Sequence, residues 1–569
     1  MNMAVYTAVD AAKDKTQPTI KISVKDTEPT NGSVKVIIRV TDSSGIKLTK
    51  WASGSQRTSY FSKAGYKLKV SAKGYATVTI KKNGTYTFYT IDKAGNTKIK
   101  WVEITNIDKT APTVYLKSTI MNQKATITIS SKDTSGIASV TYVKGKLTDT
   151  TSAKWISNGK SVADKKTFTV KTDGNYSVLV KDKAGNSRAA YIPVELEMRA
   201  VWISYLEFKT TGYTKEEFQS YINEIFDNCV DMNMNTVVVQ VRPFGDALYP
   251  SKYFPWSKYI SGEQGKDPGF DPLAYMVTAA HDRGLKFHAW INPYRITLES
   301  SDFSALAEDN YARKWYEDDD EDNDRNVLAF DTNSNGIDNL YYNPASVQVR
   351  NLIIKGVQEI VKNYDVDGIH MDDYFYPSLG TKYQTTFDSI EYSDYVISCI
   401  TKGTVPNTIV NWRRNNVNYL VKRIYSEIKK IDSKVVFGIS PQGNIDNLYS
   451  SSQHYTDVEK WMSSNEYIDY ICPQLYWTFQ NKIVPFDKNL DRWLSLRKSS
   501  TVNVYVGIPT YLAGSSADTE WKESDDVLKR MVEYGRETGL VDGYIFFRYA
   551  FFYNKTTQTE VENLLSILD

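Results

Sequence analysis

The pattern of apolar and polar positions changes character once along this chain, near residue 197. Before that point, short runs rich in Thr, Val, Ile and Tyr alternate apolar with polar residues, and Asn-Gly, Asp-Gly and Ala-Gly-Asn turns interrupt them. Such period-two runs predict half-buried antiparallel strands joined by tight turns. The stretch from Asn83 to Asn96, which closes on Asp-Lys-Ala-Gly-Asn, returns 90 residues later between Asp173 and Asn186. Thr41-Asp-Ser-Ser-Gly-Ile46 and Lys132-Asp-Thr-Ser-Gly-Ile137 match in the same way, so two tandem units of about ninety residues are predicted, each a β-sandwich. Asp108-Lys-Thr-Ala-Pro112 is the expected joint, because its proline cannot continue a paired central strand.

Beyond residue 197, apolar strand-like runs alternate with amphipathic helical segments, the signature of a parallel α/β sheet. Eight strands are predicted to begin near Arg199, Thr236, Lys286, Gly368, Val435, Asp469, Asn503 and Gly543, with helices over Lys215 to Asp231, Pro272 to Arg283, Val347 to Asn363 and Val417 to Lys430. Eight strands imply a (β/α)8 barrel. The expected organisation is a linker over residues 1–17, sandwiches over 18–108 and 109–196, and a barrel over 197–569.

Composition narrows the function. A net charge of +2, with Lys and Arg scattered, offers no basic stripe for a phosphate backbone, so nucleic acid is not an expected partner. Cys229, Cys399 and Cys472 lack disulfide or metal-site spacing and are expected to be buried free thiols. No cofactor and no metal site are expected. Asp331-Thr-Asn-Ser-Asn-Gly336 resembles the start of a calcium loop, but Tyr342 stands where such a loop needs its bidentate Glu, so a tight turn is expected. No run is long and apolar enough for a membrane span. The first residues lack the pattern of an export signal; with the sandwich modules in view, a secreted or envelope-associated protein whose signal has been removed is the expectation.

The candidate chemistry gathers at predicted strand ends, where barrels of this type carry their active sites. Asp367-Gly-Ile-His-Met-Asp-Asp-Tyr-Phe-Tyr-Pro377 reads as a strand with Ile369 and Met371 facing helices, and His370, Asp372 and Tyr374 facing the barrel axis. Asp373 points away by the same alternation, unless the strand ends there and lets it turn in. The other strands offer Gln240 and Arg242, then His288, Trp290 and Asn292, then Gln474, Tyr476 and Arg548, with Tyr249, Tyr294, Arg295 and Trp477 on the continuing loops. Aromatic planes in a polar cleft suit the apolar faces of sugar rings, so a polysaccharide is the expected partner. Ordinary glycosidases need two carboxyl groups about 5 to 10 Å apart; here Asp372 is the single inward acid, and Asp246, Glu207 and Asp446 are candidates for a second.

These residues also carry resemblances. The Asp-Lys-Ala-Gly-Asn units resemble bacterial immunoglobulin-like modules of secreted and cell-surface proteins; spacers are the expectation, with polysaccharide binding the other reading, since no cluster of exposed Trp stands out as a sugar platform. Arg199-Ala-Val-Trp-Ile203, Gln240 to Pro250, His288 to Arg295, Asp367 to Pro377, Gly438-Ile-Ser-Pro441 and Cys472 to Trp477 resemble the glycosyl-hydrolase-like family ten barrel. That resemblance implies an envelope enzyme that cuts the glycan strand of peptidoglycan, by hydrolysis or as a lytic transglycosylase; the strand-four reading makes Asp372, with Asp373 alongside, the expected catalytic acids. Strand four is also similar to the Asp-Gly-x-Asp-x-Asp-x-Glu strand of chitinase-like barrels, but has His370 at the middle Asp and Tyr374 at the acid Glu. A single protein acid with the substrate's own acetamide or C6 hydroxyl as nucleophile fits this departure. Two other readings stay open: a glycosidase of another polysaccharide, and a surface carbohydrate-binding protein without catalysis.

Overall fold

The structure is a computed structural model that describes residues 14–121, 124–331, 335–373, 375–450, 452 and 454–568. It divides into two units, the first ending at Glu195 and the second beginning at Leu196. In the first unit, each repeat builds one three-stranded and one four-stranded antiparallel sheet. Thr19–Val24, Val34–Thr41 and Tyr75–Ile80 form the smaller sheet of the first repeat; Tyr66–Leu68, Ile46–Ser53, Gly84–Asp92 and Thr97–Ile104 form the larger. The second repeat keeps the same strand order. In the first repeat Val36, Ile38 and Val78 meet Tyr86, Phe88 and Ile104 in one buried cluster, so the two sheets share a core.

The recurrent turn has a physical reason in both copies. Asp92 accepts from the Asn96 N–H at 2.9 Å and Asp182 from that of Asn186 at 2.8 Å, while Gly95 and Gly185 take φ values of 99° and 100° that a side chain would strain. Asp14, Asp42 and Asp92 bring carboxylate oxygens within 4.8 Å of one another, and Asp108, Asp133 and Asp182 do the same in the second copy.

The second unit is a closed barrel of eight parallel strands: β1 (Met198–Ile203), β2 (Thr236–Arg242), β3 (Lys286–Ile291), β4 (Gly368–Met371), β5 (Val436–Ile439), β6 (Tyr470–Ile471), β7 (Asn503–Ile508) and β8 (Gly543–Phe546). The helices include α1 (Lys215–Asp231), α2 (Pro272–Asp282), α3 (Val347–Asn363) and α4 (Ile409–Ile431), the last beginning eight residues before its predicted start. Helix α1 starts where the sequence supplies a reciprocal cap between Thr214 and Glu217. Alternation along the strands makes two cores. Val237, Val239, Val241, Ile369 and Met371 pack outward with the helices, whereas Ala200, Trp202, Val238, Trp290, Tyr470, Cys472 and Ile545 form a separate cluster inside the barrel.

The N-terminal end of the barrel is fastened by four residues, each immediately before an even-numbered strand. Asn235 gives its N–H to the Arg199 carbonyl, accepts from the Arg199 N–H on its side chain at 3.0 Å, and accepts from the Lys286 N–H on its own carbonyl at 2.9 Å. Asp367 repeats this between Phe287 and Val436, Asp469 between Phe437 and Asn503, and Asp542 between Val504 and Met198. The three aspartates are also paired with His281, Lys429 and Arg497 respectively.

Two departures from the sequence reading have local causes. The register between β2 and β3 shifts between Gln240 and Arg242, so Arg242 leaves the inward row and lies fully buried over the Phe254 ring, 4.4 Å from its centre, beside Gly356 of α3. All three cysteines are free, but Cys399 is half-buried and only Cys229 and Cys472 are enclosed. The Asp331 carboxylate accepts from the N–H groups of Asn335 and Gly336, the hydrogen bonding of a turn. Among the described residues no helix is long and apolar enough to cross a membrane.

Candidate active site

At the C-terminal end of the strands lies a cavity of about 220 Å³, lined by residues from the ends of six of the eight strands or the turns that follow them. From β1 come Trp202, Ser204, Tyr205 and Leu206; from β2 and β3, Gln240, Trp290, Asn292 and Arg295; from β4, Asp372 and Asp373; beyond these, Gln474, Tyr476 and Phe547. The supports are built from backbone contacts. Gln240 accepts from the Tyr205 N–H at 3.1 Å, which ties the turn after β1 to β2. Trp290 gives its indole N–H to Asn292, and Asn292 gives its amide to the Pro243 carbonyl at 3.1 Å, so the Trp290 ring cannot swing freely.

The acids sit together. Strand β4 ends at Met371, so alternation no longer governs the next residues, and Asp373 turns into the same cavity as Asp372. Oδ1 of Asp372 accepts from the Asp373 N–H at 2.8 Å and from the Gln474 amide at 3.0 Å. Burial, and after it the charge of Asp373, raises the Asp372 pKa well above the ordinary carboxylate range. Asp373 is also raised by burial, but its hydrogen bond with Asp372 and the Arg295 guanidinium pull it back. Of the two, Asp372 is the group pushed further toward its neutral form, and with Oδ1 already accepting two N–H groups, Oδ2 is the oxygen open to a proton.

Beneath this cavity the two predicted histidines form a directed chain rather than a lining. The Trp202 indole N–H donates to Nε2 of His370 at 3.1 Å, and Nδ1 of His370 and Nδ1 of His288 both meet the Tyr470 hydroxyl, at 2.9 and 3.1 Å. An indole can only donate. His370 is therefore neutral, carries its proton on Nδ1 and gives it to the Tyr470 oxygen, which leaves the phenol proton for His288. Burial lowers the His370 pKa well below 6.5 and brings that of His288 down to about 4, in agreement with neutral rings. Gly368 and Gly438 make the layer possible, since a Cβ at either would run into the ring of His288 or Tyr470.

Eight predicted residues thus come together: Gln240, Trp290, Asn292, Arg295, Asp372, Asp373, Gln474 and Tyr476. Others do not. His288 and His370 lie in the layer below, and Arg242 faces α3. Tyr249 and Tyr294 are wholly enclosed in the helix-side core. Trp477 packs at Gly443, and Arg548 turns away to pair with Glu207. Tyr374 lies outside the described residues. Of the candidate second acids, Glu207 is committed to Arg548 and to capping Ser204, Asp446 is an exposed partner of Arg492, and Asp246 lines a different cavity. Sequence reasoning passed over Trp202, Ser204, Tyr205, Leu206 and Phe547. Alternation from Ala200 points to Trp202 and Ser204, and alternation from Ile545 points to Phe547 in place of Arg548.

The closed parallel barrel carries a polar cavity lined with indole and phenol rings at the C-terminal end of its strands, and this chain is a glycosidase. Residues 197–523 match the family model described as Glycosyl hydrolase-like 10, and the chain belongs to that family. It is 38% identical over 380 residues to Glycosyl hydrolase YngK of Bacillus subtilis (strain 168), an alignment that covers 62% of this chain and 68% of the relative. It is 31% identical over 409 residues to Glycosyl hydrolase DigH of Escherichia coli (strain K12), covering 65% and 87%. Among solved structures, the glycoside hydrolase domain of PgaB (BpsB) from Bordetella bronchiseptica aligns with 11% identity and a TM-score of 0.41, over 65% of this chain and 99% of that one.

Proposed function

We propose that the barrel cleaves a glycan built of N-acetylated amino sugars, the glycan strand of peptidoglycan, with Asp372 as proton donor and the substrate's own acetamide as nucleophile. The observation that carries this reading is the adjacency of the two acids. Neighbouring carboxyl groups that hydrogen-bond each other cannot stand on either side of a scissile bond as ordinary glycosidases require, and the described cavity residues include no third acid. A sugar with a 2-acetamido group removes the need for one.

In this reading Trp202, Trp290 and Tyr476 hold the ring. Asp372 gives its proton to the glycosidic oxygen as that bond to C1 breaks, and the acetamide oxygen forms a bond to C1. Asp373, anionic and beside Asp372, accepts from the acetamide N–H and so aims the oxygen. Water then attacks C1, returning its proton to Asp372 and opening the cyclic intermediate. The N-terminal units we read as immunoglobulin-like spacers that carry the barrel at the cell envelope, a reading supported by their duplicated strand order and shared turn.

The test is mass spectrometry of products from purified peptidoglycan, with and without prior removal of the stem peptides. Reducing glycan fragments support hydrolysis; fragments lighter by one water, ending in an anhydro sugar, replace the acetamide by the C6 hydroxyl as nucleophile. No release from either preparation by folded protein overturns the peptidoglycan assignment.

A further inference from the structure

Next to the active cavity lies a second one, of about 320 Å³, that the chemistry above does not use. The two share a wall. Tyr205 lines the first, and its ring stands 5.1 Å from that of Phe244 and 5.0 Å from that of Tyr259, both of which line the second. Arg295 lines the first and is followed directly by Ile296 and Thr297 in the second.

The second cavity contains an incomplete polar site. Asp246 is only 2% exposed, yet its Oδ1 has no hydrogen-bond partner among the described residues; the rest of the carboxyl is met by the Ser257 hydroxyl, the Phe244 backbone and a long 3.5 Å contact from the Gln264 amide. A buried acceptor left open costs stability and calls for a ligand or another explanation. The orientation of Gln264 is fixed: its Oε1 accepts from the Ala307 N–H at 3.0 Å and from the Asn310 amide at 3.3 Å, so its Nε2 is the end turned to Asp246. An open acceptor beside an oriented donor is the pair that a hydroxyl group satisfies, since a hydroxyl both donates and accepts. Phe244 and Tyr259 add an apolar face, stacked at 17° with centres 6.3 Å apart. Burial brings the Asp246 pKa up to about 6, partly offset by the nearby Ser257 hydroxyl and Gln264 amide.

The charges choose among hydroxylated ligands. Asp246, Glu263 and Asp302 line the cavity against Lys258 alone, which disfavours a ligand that brings a carboxylate or phosphate. We propose that this cavity is a second sugar subsite, taking an uncharged hexosamine unit of the same glycan strand, recognised through its hydroxyls by Asp246 and Gln264 and through its ring face by Tyr259. The assignment rests on the active cavity acting on an amino-sugar glycan. It makes the enzyme prefer a chain over a short fragment, and an uncharged residue over an acid-bearing one at this position.

The experiment measures binding of neutral N-acetylglucosamine oligomers of two to six units by calorimetry, in the catalytically arrested Asp372→Asn protein, alone and with Tyr259→Ala or Asp246→Asn added. The expected result is an affinity that rises about tenfold or more with length, and a long-to-short affinity ratio that collapses toward one in either double variant. Tyr259→Ala is the safeguard should the buried Asp246 substitution unfold the barrel. A flat length dependence, or a gain that survives both substitutions, overturns the subsite; if wild-type protein still cleaves glycan in that case, the active-site reading stands by itself. No binding at any length, together with no cleavage, overturns both.

Discussion

Tyr470→Phe removes one oxygen atom from the centre of the barrel, and its effect follows from the direction of the hydrogen bonds. Tyr470 is 1% exposed and its hydroxyl is the shared partner of His370 Nδ1 and His288 Nδ1. Since Nε2 of His370 is occupied as an acceptor by Trp202, that ring cannot reverse its polarity to compensate. The substitution therefore strands a buried N–H on His370 and a buried lone pair on His288. Each unsatisfied group costs about 1–3 kcal/mol, so the barrel should lose about 2–6 kcal/mol with almost no change in packed volume. Urea unfolding at pH 7, followed on the barrel transition, reads this as a lower midpoint at constant slope. Because Trp202 lines the cavity and leans on His370, KM should rise more than kcat falls. A loss below about 1 kcal/mol with unaltered KM would refute the chain of donors as drawn.

Four further outcomes are expected. Asp372→Asn should lower kcat by about 10²–10⁴-fold, the range for removing a general acid, with far-UV circular dichroism unchanged; retained activity removes Asp372 from the mechanism. Asp373→Asn takes away the charge that, after burial, does most to keep Asp372 protonated, so the high-pH limb of the rate profile should move to lower pH, and a stationary limb contradicts the assignment. Asp246→Asn tests the buried acid through stability. With a folded pKa raised from 3.8 to about 6, the carboxyl's contribution is intact below about pH 4 and lost as pH rises through 6, so the variant should gain about 3 kcal/mol on wild type between pH 4 and pH 8, whereas a constant gap would show that the group does not titrate as described. Asp542→Ala leaves the buried Val504 N–H and the Arg497 guanidinium without their acceptor and should cost about 3 kcal/mol or more in urea unfolding, while Asp542→Asn, which copies the amide at Asn235, should keep a larger part of the stability.

The barrel was legible because its strands obey a simple period. All eight predicted starts fall within one residue of the observed ones, and the inward row gave Gln240, Trp290, Asn292 and Asp372 directly. The same rule failed where the backbone stopped obeying it. A register shift after Gln240 carried Arg242 to the helix side, and the end of β4 at Met371 freed Asp373 to turn inward. Only the first has a breaker beside it, Pro243 directly after Arg242, and a proline there marks the end of a strand but not the face on which the preceding side chain falls. The histidines were misread for a different reason: alternation tells which side a residue faces, not how deep it lies, and His288 and His370 are one layer too low to meet a ligand. The second cavity was beyond sequence reasoning altogether, because it joins Asp246, Tyr259 and Leu298 through loops whose lengths set no fixed geometry.

The ring of Asn235, Asp367, Asp469 and Asp542 makes the base of this barrel a closed circuit of four clasps. Each clasp holds the odd-numbered strand on either side of it, and the last, on Met198, returns to the strand the first one gripped at Arg199. Every lateral boundary at the base is thus bridged by one of four residues, and none is left as a seam where the wall can part. Loss of one clasp loosens two boundaries at once, which makes these positions far less replaceable than their distance from the chemistry suggests. The opposite rim is built differently: long segments join β3 to β4 and β4 to β5 there, while the strand register is set from below. A short acidic or amide residue just before every second strand is also a pattern that can be sought in other barrels, as a mark of walls assembled from strand pairs.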